Sequence, residues 1–319
     1  MMATPSMRSQ VEKYLDDRRR LGFVLDTTGS YLMSFARFVD RIGHTGPLTS
    51  EVILAWAQRD SAHTTPPTWA KRLISIRRFL KHCAQTDGKT EVPDTDVFGR
   101  LRGRPTPHVY TEAEIIELLA AARRLPPVGT LRPATYEAFF GLLAATGLRL
   151  SEALHLRCSD VDLTGGLLTV RQSKWGKSRL VPLHPTVSQA MAQYLTLRQR
   201  VPSASDAHFF VSQAGTAIGR RTVQTVFGRL RAELGWVARG SRPAPRIHDL
   251  RHSFICRRVM LWHEQGTDID NAMLALSTYV GHVAVSCTYW YLTGVPELMA
   301  VAGRRFELFS SDAEEASHG

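Results

Sequence analysis

Side chains that can bind a phosphate group and transfer protons lie in four short segments in the second half of the chain. In the first segment, Gly147 ends one predicted helix and Ser151 can cap the next, so Arg149 lies at a helix junction with its side chain free to reach a ligand. Glu152, one turn further on, could orient a neighbouring basic group. The second segment, residues 172–183, predicts a hairpin whose glycine-containing loop carries two lysines and could enter a groove.

Two histidines, a second arginine and a tyrosine complete the set. His248 and Arg251 are three residues apart and therefore share one face of a predicted helix. The fourth segment begins at His282 and ends in an aromatic run that contains Tyr291. Breaking a phosphodiester without a metal requires a nucleophile, fixed positive charge on the phosphate, a general acid and a general base. Guanidinium groups suit the second task, because they stay charged and their planar fork matches two phosphate oxygens.

Nothing in the sequence predicts a cofactor. The histidines, cysteines and acidic residues do not follow the spacing of a metal site, and the chain contains no Gly-x-x-x-x-Gly-Lys loop for a nucleotide. We therefore expect neither a metal nor a nucleotide requirement.

Taken in order, these residues form the pattern R..HxxR..GH..Y with a hairpin lysine between the first arginine and the histidine. This pattern resembles the tyrosine recombinases, which include phage integrases and the Xer and Cre recombinases. The resemblance extends over roughly residues 111–291, and Tyr291 follows His282 by the expected nine residues. The strings Gly-Leu-Arg-Leu-Ser-Glu and Lys-Ser-Arg-Leu-Val-Pro-Leu are also typical of the family.

The resemblance implies a role for each residue. Tyr291 would be the nucleophile and form a 3′-phosphotyrosyl bond, which conserves the phosphodiester energy so that strands rejoin without ATP. Lys174 would be the general acid, His248 the general base or proton shuttle, and His282 a hydrogen-bond donor to the phosphate. Arg149 and Arg251 would bind the non-bridging oxygens.

Two positions have alternatives. Lys177 lies on the same hairpin as Lys174, and alignment on the Arg-Leu-Val-Pro-Leu string favours Lys174. Tyr289 precedes Tyr291 by two residues and would point away from it on a helix, so only one of them can face the phosphate. We expect Trp290 and His252 to pack or to contact backbone, and we assign no chemistry to Cys287.

The composition indicates a folded protein whose partner is a polyanion. The 319 residues are 44% hydrophobic and 22% charged, and 40 Lys+Arg against 29 Asp+Glu give a formal net charge of +11. We see no membrane-spanning stretch and no secretory signal, and four scattered cysteines fit a reducing cytoplasm. We therefore expect a cytoplasmic protein that binds double-stranded DNA, not a membrane.

The elements that must position the site fall into two predicted domains. Residues 1–98 read as helices, including a basic amphipathic one, and by resemblance form a core-binding domain. Residues 99–110 predict a basic linker, and residues 111–319 a catalytic domain with short strands at 159–163, 167–171 and 179–183. The predicted fold class is therefore mainly α with a small antiparallel β-sheet. Expected contacts to DNA are the basic residues Lys71, Arg72, Arg77, Arg78, Lys81, Arg102, Arg104, Lys177 and Arg179.

The resemblance also predicts the activity and the assembly. The main hypothesis is a site-specific recombinase of the integrase or transposase kind, acting as a homotetramer on DNA, with or without sister recombinases. The alternatives are a type IB topoisomerase and a regulator that binds DNA without cleaving it. Residues 261–272 predict an insertion before the His282 segment, and residues 292–309 form an amphipathic segment that packs on its own domain or on a neighbouring protomer.

Overall fold

The computed structural model describes residues 6–99, 104–171, 178–201, 207–294 and 298–299, and the chain divides into two compact units, Met1–Gly103 and Arg104–Gly319. Lys174, Lys177 and Arg102 lie outside the described residues. None of the described helices is long and apolar enough to cross a membrane.

The first unit is helical wherever it has regular structure in the described residues. Its α-helices are α1 (Met7–Arg20), α2 (Asp26–Arg41), α3 (Ser50–Gln58) and α4 (Pro66–Asp87). Leu32, Phe35, Trp56 and Phe79 form the centre of its core, each with at most 1% of its surface exposed. The Thr49 hydroxyl caps α3, since it accepts a hydrogen bond from the amide of Val52.

The second unit surrounds a long apolar helix. Its helices are α5 (Glu112–Arg123), α6 (Leu131–Thr146), α7 (Leu150–Leu154), α8 (Pro185–Arg198), α9 (Arg220–Glu233), α10 (Ile247–Glu264), α11 (Ile269–Val280) and α12 (Ser286–Gly294). Thr111 and Glu114 form a capping box at the start of α5. Phe139, Phe140 and Leu142 of α6 are fully buried, so α6 is enclosed by its neighbours.

A small antiparallel sheet lies within the second unit, which confirms the predicted fold class. Strands β1 (Val161–Asp162), β2 (Leu167–Val170) and β3 (Arg179–Pro182) pair in the order β1-β2-β3. Leu168 pairs with Val181, and Val170 pairs with Arg179. The strands are shorter than predicted, because the ladder ends where the turns begin. Arg179 opens β3 next to the hairpin segment that the described residues omit.

Part of the predicted linker packs within the second unit, and the predicted insertion spans the end of α10 and the start of α11. Residues 104–110 belong to the second unit, where Tyr110 is buried and its amide donates to Ser253 Oγ at 2.7 Å. The sequence does not predict this packing, because residues 104–110 are held by individual contacts and contain no repeating pattern of apolar residues. The predicted insertion completes α10 and begins α11, with Asp268 accepting hydrogen bonds from the amides that open α11.

Candidate active site

The junction between α6 and α7 positions Arg149. Gly147 ends α6 with φ +61°, a left-handed conformation that glycine adopts readily, and Arg149 is the extended residue that precedes α7. The Arg149 guanidinium donates to Glu152 Oε1 at 2.7 Å and to the carbonyl of Gly281, and its amide donates to Glu152 Oε2 at 2.9 Å. The helix junction predicted from the sequence therefore places this arginine at the C-terminus of α11.

Glu152 joins two arginines. Arg179 donates to Glu152 Oε1 at 3.0 Å and to Oε2 at 2.9 Å, a bidentate pair in which both side chains are largely buried. Burial acts to raise the pKa of the Glu152 carboxyl, but the hydrogen bonds and charges of Arg179 and Arg149 outweigh it and lower that pKa to about 2. Glu152 is therefore ionised and fixes the side chain of Arg149.

Arg179 differs from its prediction as a DNA contact. Only 10% of its side chain is exposed, and besides the pair with Glu152 it donates from Nε to the carbonyl of Tyr279 at 2.7 Å. A Cβ at Gly281 would lie 2.8 Å from Arg179 Nη1, so the glycine makes room for the guanidinium. Arg179 is a structural residue that connects β3 with α7 and α11.

Arg251 is buried between the ends of two helices. It donates to the carbonyl of Gly147 at 2.6 Å and to the carbonyl of Val280 at 2.7 Å, and only 3% of its surface is exposed. Burial and the charge of Arg149 lower the pKa of Arg251 to about 10, which leaves it a cation at neutral pH. The two predicted phosphate-binding arginines are thus brought together by the same pair of helix C-termini.

Tyr291 is buried, and its phenol contacts a histidine. The distance between Tyr291 Oη and His252 Nδ1 is 2.6 Å, and 3% of the tyrosine surface is exposed. Burial raises the pKa of Tyr291 above its usual range, and the charge of Arg251 opposes part of this rise. The sequence predicted only packing or a backbone contact for His252. It is four residues after His248, and that spacing was the available signal that it faces the same side of α10.

The two predicted histidines flank this contact. The His282 ring lies nearly parallel to the Tyr291 ring with centroids 6.4 Å apart, and its Nδ1 is 2.7 Å from the hydroxyl of Thr288. The His248 ring meets the His252 ring edge-on at 4.7 Å. Burial and the charges of Arg251 and Arg149 lower the pKa of His282 to about 3. His248 is exposed to solvent, yet the protein crowded around it and the nearby Arg251 lower its pKa as well.

The alternative tyrosine points elsewhere. Tyr289 donates from its hydroxyl to Asp270 Oδ1 at 2.7 Å, which ties α12 to the first turn of α11. Trp290 packs edge-on against Tyr291, with ring centroids 5.2 Å apart, and carries the Arg104 guanidinium at 5.7 Å from its own ring centroid. Arg104 also donates to the thiol of Cys287 at 3.5 Å. Of the two tyrosines, Tyr291 is the one that faces the basic cluster.

The basic residues of α4 divide into two groups. Lys71, Arg78 and Lys81 are exposed. Arg72 is buried and donates to the carbonyls of Ala57 and Arg59, at 2.9 and 2.7 Å, so its prediction as a DNA contact was wrong. Arg77 donates to the carbonyl of Pro93 and is only partly exposed. The amphipathic pattern could not separate a basic residue that closes a neighbouring loop from one that faces solvent.

Taken together, the second unit presents two cations beside a buried phenol that is hydrogen-bonded to an imidazole. This arrangement can hold an anionic tetrahedral group, and it offers an oxygen nucleophile and proton-transferring side chains. Within the described parts of the chain, no group of three or more His, Cys, Asp or Glu residues is arranged to hold a metal ion.

Comparison with known proteins agrees with this geometry. The phage integrase family matches residues 108–295. The integrase/recombinase y4rB of Sinorhizobium fredii is 39% identical over 95% of this chain and 97% of its own length, and the tyrosine recombinase XerD of Caulobacter vibrioides is 30% identical over 84% of each chain.

Solved structures share the fold at low sequence identity. A XerH recombinase in a post-cleavage complex with difH substrate has a TM-score of 0.64 at 18% identity and covers 94% of this chain and 85% of its own. The Tn1549 transposon integrase bound to transposon right-end DNA has a TM-score of 0.65 at 18% identity, with 93% and 99% covered. The family match over the second unit and the relatives that extend along nearly the whole chain lead to one conclusion: this chain belongs to the phage integrase family of tyrosine recombinases.

Proposed function

We propose that the chain is a site-specific DNA recombinase that cleaves and rejoins strands through a 3′-phosphotyrosine, without metal or ATP. The observation that carries the proposal is the convergence of distant segments of the sequence on one phenol. Arg251 and Arg149 share the C-termini of α6 and α11, while His282 and His252 border Tyr291. A tyrosine oxygen can form a covalent intermediate, and fixed guanidinium groups match phosphate oxygens, so this site suits attack on a phosphate.

Each side chain then has a proposed role. Arg149 and Arg251 offset the negative charge that develops on the non-bridging oxygens, and Glu152 fixes Arg149. His282 donates a hydrogen bond to the phosphate through Nε2, because its Nδ1 is engaged with Thr288. Tyr291 attacks phosphorus and the 5′-oxygen leaves. Lys174, on the hairpin outside the described residues, is our candidate for the acid that protonates this oxygen.

The DNA-binding surface and the assembly are further parts of the proposal. The first unit would act as a DNA-binding domain, with the exposed Lys71, Arg78 and Lys81 of α4 contacting phosphates. Joining two duplexes requires four cleavages, so we propose four protomers on DNA. The XerH and Tn1549 relatives were solved with DNA, which supports duplex DNA as the partner. An enzyme that acts on bacterial-type recombination sites would work in the cytoplasm.

A covalent-trapping experiment tests the proposal. The substrate is duplex DNA taken from inverted repeats flanking the gene, footprinted with the protein and then nicked beside the cleavage site so that the released strand diffuses away. We expect an adduct on a denaturing gel with the wild-type protein and none with Tyr291→Phe, while both bind the DNA equally.

The matched control is Tyr289→Phe, which removes the hydroxyl that bonds Asp270 and leaves Tyr291 in place. This variant should form the adduct normally. An adduct that survives Tyr291→Phe would contradict the proposed nucleophile, and relaxation of supercoiled DNA without any sequence requirement would identify a topoisomerase instead.

A further inference from the structure

The Tyr291 hydroxyl has a specific neighbour whose chemistry matters for the reaction. A phenol buried to this degree requires a hydrogen-bond acceptor for its proton, because an unpaired buried O–H is costly. His252 Nδ1 lies 2.6 Å from Tyr291 Oη and can fill this role. The hydrogen on Oη therefore points to Nδ1, and the neutral His252 carries its own hydrogen on Nε2.

Cleavage removes that same proton. When Tyr291 Oη attacks phosphorus, the new P–Oη bond forms, the P–O5′ bond breaks, and the phenolic hydrogen must leave Oη. The hydrogen bond already directs this hydrogen to an imidazole nitrogen. His248, by contrast, meets His252 edge-on and has its nearest described ring contact there, not with the phenol.

We propose that His252 is a catalytic residue, the base that accepts the phenolic proton of Tyr291 during strand cleavage and returns it during rejoining. This inference rests on the proposed function, because it takes Tyr291 as the nucleophile. The proton moves from Oη to Nδ1, and the resulting imidazolium can release its Nε2 proton toward the exposed His248 and solvent. Of the two roles that the resemblance implies for His248, general base or proton shuttle, it keeps the second.

The surroundings of His252 keep it neutral before the reaction. His248 and Arg251 of α10, Arg246 at its N-cap and His282 of the α11–α12 connection all disfavour a positive charge on His252. Tyr291 of α12 provides the only hydrogen-bond contact described for the ring. Burial and these groups lower the pKa of His252 to about 3. A neutral imidazole is able to accept a proton, and the developing negative charge of the pentavalent phosphate would stabilise the imidazolium as it forms.

The test uses His252→Asn in the full-length protein on the nicked substrate. The asparagine oxygen can accept the hydrogen bond from Tyr291 at the place of Nδ1, but it cannot take the proton. We expect the single-turnover rate of adduct formation to fall by about 100-fold, the lower end for loss of a general base. DNA binding and the melting temperature should match those of His263→Asn, a histidine control on the same helix.

A chemical rescue separates proton transfer from structure. Replacing Tyr291 by a trifluorotyrosine makes the phenol more acidic, and at a pH above its lowered pKa the phenol ionises without a base. This substitution should restore His252→Asn to the rate of the fluorinated protein that retains His252. A merely structural defect would not respond to the acidity of the phenol.

Four outcomes are decisive. Wild-type cleavage by His252→Asn overturns the inference, and so does a loss of cleavage that the fluorinated tyrosine fails to restore. Adduct formation by Tyr291→Phe overturns Tyr291 as the nucleophile, and with it the part of the proposed function on which this inference rests. Loss of adduct formation in both Tyr291→Phe and His252→Asn, with rescue of His252→Asn by the fluorinated tyrosine, supports the inference and the proposed function.

Discussion

The cationic half of the site and the nucleophile half are held by different kinds of bonds. Arg149, Arg179 and Glu152 form charge-assisted pairs between 2.7 and 3.0 Å, and Arg251 is fixed by two carbonyls. On the other side, Tyr291 is held through the His252 contact, and His282 through the Thr288 hydroxyl. These bonds join groups that are neutral at physiological pH.

The difference has a mechanistic meaning. Charge-assisted bonds in a buried setting are roughly twice as strong as neutral ones, so the positive charge is set in place by folding. Neutral hydrogen bonds contribute only about 1 kcal/mol each, so the phenol and the imidazoles can exchange partners when a phosphate arrives. Folding therefore fixes the positive charges before a phosphate binds, whereas the phenol and the imidazoles can still change their hydrogen-bond partners.

The largest effect is expected from the cationic half. In Arg251→Lys the charge remains, but a single ammonium group cannot bond the carbonyls of Gly147 and Val280 while also binding phosphate in a bidentate manner. The single-turnover rate of adduct formation should fall by about 100-fold or more, as for loss of one oxyanion donor. Arg258→Lys, at an exposed position of the same helix, is the matched control, and a wild-type rate for Arg251→Lys would contradict the comparison.

Glu152 should give the next largest effect, on stability. Its folded pKa of about 2 lies below the ordinary 4.5, so its ionisation stabilises the fold above pH 4.5, and this contribution is lost as the pH falls toward 2. In Glu152→Gln, the free energy of unfolding should drop by about 3 kcal/mol at neutral pH and match the wild type near pH 2. Urea denaturation at several pH values measures this.

A surface pair provides the control for Glu152. Glu137 pairs with the exposed Arg123, and such pairs contribute about 0–1 kcal/mol. Glu137→Gln should therefore leave the unfolding free energy nearly unchanged at every pH. An equal loss of unfolding free energy in Glu152→Gln and Glu137→Gln would mean that the buried pair stabilises the fold no more than the surface pair.

The contact that positions His282 in the neutral half should tolerate more. Thr288→Val removes the hydroxyl that bonds His282 Nδ1 inside a fully buried position, at a cost of about 1 kcal/mol, or roughly a fivefold slower adduct formation. Thr288→Ser retains the hydroxyl and should cleave at the wild-type rate. A loss as large as that of Arg251→Lys would show that the two halves are equally rigid.

The smallest effect is expected where α12 meets the start of the second unit. Arg104→Gln removes the guanidinium over Trp290 and should lower the free energy of unfolding by about 0.5 kcal/mol, the usual value for an exposed cation–π contact. Arg104→Lys keeps a cation and should lose less. A salt dependence of DNA binding that becomes shallower in Arg104→Gln would show that this residue also contacts a phosphate.

Local patterns in the sequence predict the helices, the three strands and the cluster, because helix caps, turns and the order of motifs are local properties. Gly147 correctly placed Arg149 at a junction, for example, whereas the predicted cap Ser151 lies inside α7 and Arg149 itself is the N-cap residue. The sequence could not show that Arg179 faces Glu152, or that Arg72 turns inward to two carbonyls, because both depend on partners from other elements. His252 was missed because its partner is 39 residues away.

The carbonyls of Gly147 and Gly281 each occupy one edge of a guanidinium, Arg251 and Arg149 respectively. A planar guanidinium directs its donors along fixed lines, so the edges left for the DNA point in set directions. The two non-bridging oxygens of a bound phosphodiester consequently meet unlike neighbours. The site therefore distinguishes the two non-bridging positions on phosphorus. DNA that carries a single methylphosphonate at the cleavage position should react at different rates in its two configurations at phosphorus.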